Sequence, residues 1–175
     1  MPLLVVQAFV NTLDLEEGRD VLADPESARD WLVGARLLDP AARPGPSELG
    51  LAREVRESLR RLLRREDHDV GGIEDALACL RQVAAARRAR LTVGEDGAIE
   101  LENARREDLG DALFEILLIV HGAQEDGSWE RLKVCANPEC EWAFFDRSRN
   151  QQGSWCDMAV CGNRLKNRQL RARRR

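Results

Sequence analysis

The chain has 175 residues, 43% of them hydrophobic and 33% charged, which suits one cored domain or a domain with a small appendage and excludes a disordered polymer. Its net charge of −4 is unevenly spread. Residues 1–130 carry 16 Arg, no Lys and 27 acidic residues, whereas residues 131–175 carry 11 basic and 4 acidic ones, so an acidic body bears a basic end suited to a polyanion or to self-neutralisation against that body.

The start, Met1-Pro2-Leu3-Leu4-Val5-Val6, lacks the basic segment and the small-residue cleavage site of a secretory signal. The expected compartment is the cytoplasm, where thiols stay reduced. Leu4 to Asn11 is apolar and fits either a strand or a helix. Asp24-Pro25-Glu26-Ser27 is a helix start, with Asp as N-cap and Pro at the first helical position, and that helix should end near Leu38. Asp39 to Pro46 reads as a loop. Ser47 should cap a second helix carrying Ala52, Val55, Leu59, Leu62 and Leu63 on one face, with Arg or Glu elsewhere. Gly71-Gly72 should break the chain before a third helix marked by Ile73, Leu77, Leu80, Val83 and Ala84. Leu91, Val93, Ile99 and Leu101 alternate with polar residues around Glu95-Asp96-Gly97, which signals a hairpin. The last helix of the body, around Leu109, Leu113, Ile116, Leu117 and Val120, is its most apolar. Leu113 to Val120 is the longest apolar run, but Glu115 interrupts it and it falls short of the roughly 18 residues of a membrane span. No membrane is expected.

Four of the five cysteines follow as C-x4-C-x15-C-x4-C: Cys135, Cys140, Cys156 and Cys161. Two close pairs of soft thiolates separated by a longer excursion match tetrahedral zinc, which would replace a core that so short a module cannot build. With four cysteine ligands no coordination position stays open, so this is a structural zinc, one ion per chain, and no enzyme is expected. Only His68 and His121 are present as histidines, both outside the cysteine segment, and no nucleophile set or Gly-rich phosphate loop appears. Trp142 to Phe145 reads as a strand and Asp146 to Gly153 as its turn. The second cysteine pair should stand at a helix start, where free backbone N–H groups favour thiolate charge. Cys79 reads as a core thiol.

A helix from near Asp157 would turn Met158, Cys161 and Leu165 inward and lay Arg164, Arg168 and Arg171 along one flank at i, i+4 and i+7, with Lys166 on the other. Asn163 and Asn167 would point outward, and Arg147 and Arg149 in the turn could clamp a backbone. Arg forks and Asn amides pair with base edges and phosphates, which makes DNA the expected partner. Two structural duties compete for the residues after Cys161. Arg164 could bond Asp146 or offset the thiolate charge, and Asn163 could bond a thiolate or a carbonyl. In the body, Asn11 and Thr12 beside an apolar run could line an effector pocket, or merely cap a turn.

Cys135-Ala-Asn-Pro-Glu-Cys140, Phe145 to Asn150, Trp155-Cys156 and Cys161-Gly162-Asn163-Arg164 resemble the CGNR zinc finger. That finger usually follows a helical domain called ABATE, described as a stress-induced transcription regulator. Phe9-Val10-Asn11-Thr12, Trp31-Leu32, the small hairpin and the last apolar helix are similar to that partner. The family commonly has an acidic residue where Ala8 stands. The resemblance implies a mainly α fold: a helical domain with one small β-hairpin over 1–130, then over 131–175 a four-cysteine finger of hairpin and turn followed by a basic helix. The body would sense a small-molecule effector or form a homodimer while the finger binds DNA. The competing expectations are a zinc-stabilised adaptor for an acidic protein surface and an RNA-binding module.

Overall fold

The computed structural model describes residues 2–64, 70–105 and 107–164. Helix α1, Leu3–Val10, resolves the strand-or-helix ambiguity of the first apolar run: Leu3, Val6, Phe9 and Val10 recur at helical spacing and are all buried. A short ladder, missed in the sequence, pairs β1 (Leu13–Asp14) with β2 (Arg19–Asp20). Helix α2, Pro25–Gly34, starts where expected, with the Asp24 carboxylate accepting from Ser27 N at 2.8 Å. It stops four residues before Leu38, and Arg36, at φ 60°, turns the chain so that Leu37 and Leu38 enter the core as a loop.

Helix α3, Pro46–Leu63, is capped at Gly45 and not at Ser47. Pro46 takes the first helical position, and the Glu48 carboxylate reaches back to accept from Gly45 N at 2.7 Å. Ala52, Val55, Leu59 and Leu63 are buried as the periodicity predicts, Leu49 joins them, and Leu62 is only half-buried. Arg56 and Arg60 are buried beside them, although they lie outside the apolar positions of the pattern. Helix α4, Val70–Ala85, runs through Gly71-Gly72, so the glycine pair lies in its first turn instead of breaking the chain. Packing on α3 outweighs the helix penalty of about 1 kcal/mol per glycine.

Strands β3 (Ala89–Val93) and β4 (Ile99–Asn103) form the expected hairpin, with Leu91 opposite Leu101 and Val93 opposite Ile99. Helix α5, Leu109–Glu125, is capped by Asp108 and buries Leu109, Leu113 and Ile116 almost completely. Full burial contributes roughly 1.5–3 kcal/mol per such side chain, making α5 the centre of the fold. Its end is fixed by Gly127, whose φ of 74° only glycine adopts without cost.

A 3-10 turn, Ser128–Arg131, leads into β5 (Leu132–Val134), which pairs with β6 (Ala143–Phe145). Leu132, Val134 and Ala143 belong to the same buried cluster as the five helices, and Phe145 packs against it. The first hairpin of the cysteine segment is therefore built into the body's core. The cysteines form a second, smaller cluster padded by Trp142 and Trp155, which assigns those rings a packing role.

Candidate metal centre and basic flank

The four cysteines of the motif converge. All four Sγ atoms lie within 4.8 Å of one another; Cys140 and Cys156 are 3.6 Å apart, and Cys156 and Cys161 are 3.7 Å apart. A tetrahedral ion with metal–sulfur bonds of about 2.3 Å has sulfurs about 3.8 Å apart, so the donor chemistry and the spacing both fit one zinc ion. When bound, zinc supplies a cross-link between the two knuckles. It leaves no open position for a substrate.

Local backbone geometry makes each knuckle. Cys135 leaves β5 and donates its N–H to Trp142 O at 2.9 Å, while Asn137 O receives the N–H groups of Cys140 and Glu141 at 2.9 and 3.0 Å. The second knuckle starts at Asp157, whose carboxylate accepts from Ala159 N and Val160 N. One wide turn of π type, Met158–Gly162, then brings Cys161 inward. A Cβ on Gly162 would stand 2.5 Å from Met158 Sδ and 3.3 Å from Trp155 Cδ1, so a larger residue there would displace the exposed Met158 side chain.

Burial pushes the Cys140 thiol up to about 11 and raises Cys156 as well, in both cases with contributions from the neighbouring thiols. Burial also works against ionisation of Cys161, but hydrogen bonds from Asn137 and the other thiols hold it below the ordinary thiol value. Asn137 Nδ2 lies 3.7 Å from Cys161 Sγ and is itself buried. Asn137 thus does the thiolate-bonding duty considered for Asn163. Asn163 donates instead to Ala159 O at 3.0 Å.

The turn after β6 is organised by Asp146, another residue whose role the sequence did not reveal. Its buried carboxylate accepts from Lys133 Nζ at 2.9 Å, Ser148 N at 2.9 Å and Gly153 N at 2.7 Å. Burial opposes its ionisation, yet these donors hold it well below the usual carboxylate range. A Cβ at Gly153 would meet the carboxylate at 3.0 Å, so any larger residue would push the carboxylate back by a few tenths of an ångström. Arg131 adds bonds to Asp146 O and Ser148 O, both at 3.2 Å. The result presents Arg147 and Arg149 as exposed side chains on a pinned turn, with no ion pair to either among the described residues.

Arg164 is exposed and pairs with Glu16 in the β1–β2 turn at 2.6 Å, not with Asp146. The Glu16 carboxylate raises its pKa, and the Cys161 and Cys140 sulfurs add a lesser pull. Lys166, Asn167, Arg168 and Arg171 lie outside the described residues.

Two family models match the chain: one described as "CGNR zinc finger" over residues 131–174, the other as "Putative stress-induced transcription regulator", ABATE, over residues 5–124. The second spans more than half of the sequence. The chain belongs to the ABATE family. The matched families are a regulator family and a zinc-finger family, and neither is an enzyme family. No curated protein matches. No helix among the described residues is long and apolar enough to cross a membrane.

Within this ABATE body, Asn11 and Thr12 have tasks that the sequence left open. Asn11 Nδ2 donates to Ala143 O at 2.9 Å, and its Oδ1 accepts from Ala143 N at 2.7 Å, so one amide mimics a neighbouring strand for β6. Thr12 Oγ1 donates to Phe9 O at 2.8 Å and is approached by Arg56, whose guanidinium forks onto Asp20 at 2.5 and 3.0 Å. Asn11→Ala would strand both polar groups of the buried Ala143 backbone. We expect a loss of about 2–3 kcal/mol in urea denaturation. A loss below about 0.5 kcal/mol, the size of an ordinary surface change, would show that the clasp contributes nothing.

Proposed function

We propose that this chain is a non-enzymatic, DNA-binding regulator whose zinc-held end carries the contact surface. The observation that carries this reading is the pinned turn after β6. It holds Arg147 and Arg149 free of ion pairs among the described residues, next to a four-thiol centre with no position for substrate chemistry. Asn163 and Arg164 stand one turn beyond Cys161 and lead into Lys166, Asn167, Arg168 and Arg171. The Arg164–Glu16 pair is open to solvent and screened by it, so a phosphate can replace Glu16. The acidic body would keep the basic end soluble and limit binding to nonspecific polyanions.

Each phosphate contact releases condensed counterions and adds about 0.9 to the slope of log affinity against log salt. Changing Arg168 and Arg171 to Gln, or Arg147 and Arg149 to Gln, should flatten that slope by about one to two units for each pair, with zinc content unchanged. A loss confined to one DNA sequence would indicate base readout, and a uniform loss phosphate contact. If both double variants bind duplex DNA like the parent, the basic surface is not a DNA contact. Docking on an acidic protein would then replace this reading.

A cavity favours effector sensing as a second function. About 660 Å3 in volume, it lies between the end of α3 and the first knuckle, lined by Leu63 and Arg64 on one side and Lys133 to Ala136 on the other. That volume is in the range of small-molecule sites. Asn11 and Thr12 are not among its lining residues, so an effector would sit against the cysteine segment itself. A thermal-shift screen of small polar compounds that raises no melting temperature would end this second reading.

A further inference from the structure

We infer that the exposed apolar face of the β3–β4 hairpin is the surface through which two copies of this chain pair. Leu91, Val93, Ile99 and Leu101 are 68, 72, 71 and 43% exposed. The register puts them side by side: Leu91 faces Leu101, Val93 faces Ile99, and the period of two turns all four to one side of the sheet. Arg90, Thr92, Glu100 and Glu102 occupy the other side, where Arg90 and Glu102 pair at 3.4 Å. The polar side is equipped for water. The apolar side is not.

A hairpin of two five-residue strands is marginal by itself. This one is fastened to the body at its root, where Asn103 Nδ2 donates to Asp111 O at 2.7 Å. The exposed apolar area is on the order of 400 Å2, the size of patch that marks a contact site on a monomer. Two such patches facing each other, with their polar rims, reach the lower end of specific interfaces, roughly 1,000–1,200 Å2 in total.

The occupant that fits is a second copy, because the hairpin is charge-complementary to itself when reversed. Exposed Arg105 stands at its root, and exposed Glu95 at its tip. Two hairpins stacked face to face and antiparallel match apolar patch to apolar patch and put each acidic tip against the partner's basic root. A twofold axis through the patch generates both contacts from one, as an isologous interface requires. The pairing does not depend on DNA binding.

Sedimentation velocity of the zinc-loaded chain from about 1 to 200 µM should show a monomer–dimer equilibrium with a Kd on the order of 10 µM, as befits so small an interface. Leu91→Lys with Ile99→Lys should raise that Kd at least about 100-fold while circular dichroism and zinc content stay unchanged, because both side chains are exposed in the single chain. Arg105→Glu and Glu95→Arg should each weaken self-pairing about tenfold, and an equimolar mixture of these two variants should recover the parental affinity. A parent that stays monomeric throughout overturns the inference and leaves the face to a different protein. A dimer that survives the double Lys change also overturns it. A mixture of the charge variants that fails to recover would rule out the antiparallel arrangement.

Discussion

Chelating the metal from the purified chain under reducing conditions should unfold the two knuckles and leave the helices standing. The parent should first be found to carry about one zinc per chain. The four motif cysteines have only a small cluster of their own, padded by Trp142 and Trp155, so no apolar core replaces the ion. Binding free energy of a structural zinc is folding free energy, about 10–16 kcal/mol in isolated fingers at neutral pH. The collapse should stop at β5–β6, because Leu132, Val134 and Ala143 are buried among the helices and Asn11 clasps β6 from α1. Far-UV circular dichroism should therefore keep most of its helical signal, while a thiol reagent gains four rapidly reacting cysteines and half-buried Cys79 stays slow. Cys161→Ser should reproduce the chelated state. If the reduced protein holds no zinc, or the chelated chain keeps its thiols protected, the metal assignment fails.

What the sequence disclosed, and what it hid, follows from the range of the forces involved. The cysteine spacing was decisive because two close pairs of soft ligands have few other uses, and the Asp24 cap acts within three residues of itself. The β3–β4 hairpin was legible from period-two alternation, although the alternation did not reveal that its apolar side faces water. Hidden were contacts whose partners lie far along the chain. Asn11 meets Ala143, and Arg164 meets Glu16, across more than 130 positions that no local pattern spans. The glycine pair in α4 misled for the same reason, since packing on a distant helix overrode local propensity. In α3 the amphipathic pattern correctly selected Val55 and Leu59 but gave no sign that Arg56 and Arg60 are buried. A buried arginine at the border of an apolar stripe reads like any exposed one. Its destination is set by which carbonyls and carboxylates the rest of the fold leaves in need of donors.

Arg60 is the strongest case, and replacing it should be among the most damaging single changes outside the cysteines. Its side chain is 2% exposed, and its donors serve three separate parts of the chain. One terminal nitrogen donates to Glu141 O at 2.6 Å, immediately after the first knuckle. The other donates to Val10 O at 2.7 Å, at the end of α1, and Nε to the Glu57 carboxylate at 3.2 Å within α3. Burial lowers the Arg60 pKa and the Glu57 carboxylate raises it, but a guanidinium keeps its proton at any physiological pH. Arg60→Met would retain much of the volume and leave those acceptors without a donor in a dry site. The expected loss is about 3–5 kcal/mol, the range for removing one member of a buried charged network. Arg60→Lys should recover only part of this, because one ammonium cannot reach three divergent acceptors. Glu141, at φ 49°, also pairs with Arg64 from α3, so the knuckle should loosen with the helix contact, and zinc should leave Arg60→Met faster than the parent. Arg64→Met supplies the comparison: it removes a partly exposed pair and should cost less than Arg60→Met. Urea denaturation and zinc release to a chromogenic chelator measure both effects. Should Arg60→Met match the parent in stability and in zinc release, the guanidinium is not the brace between the ABATE helices and the metal centre.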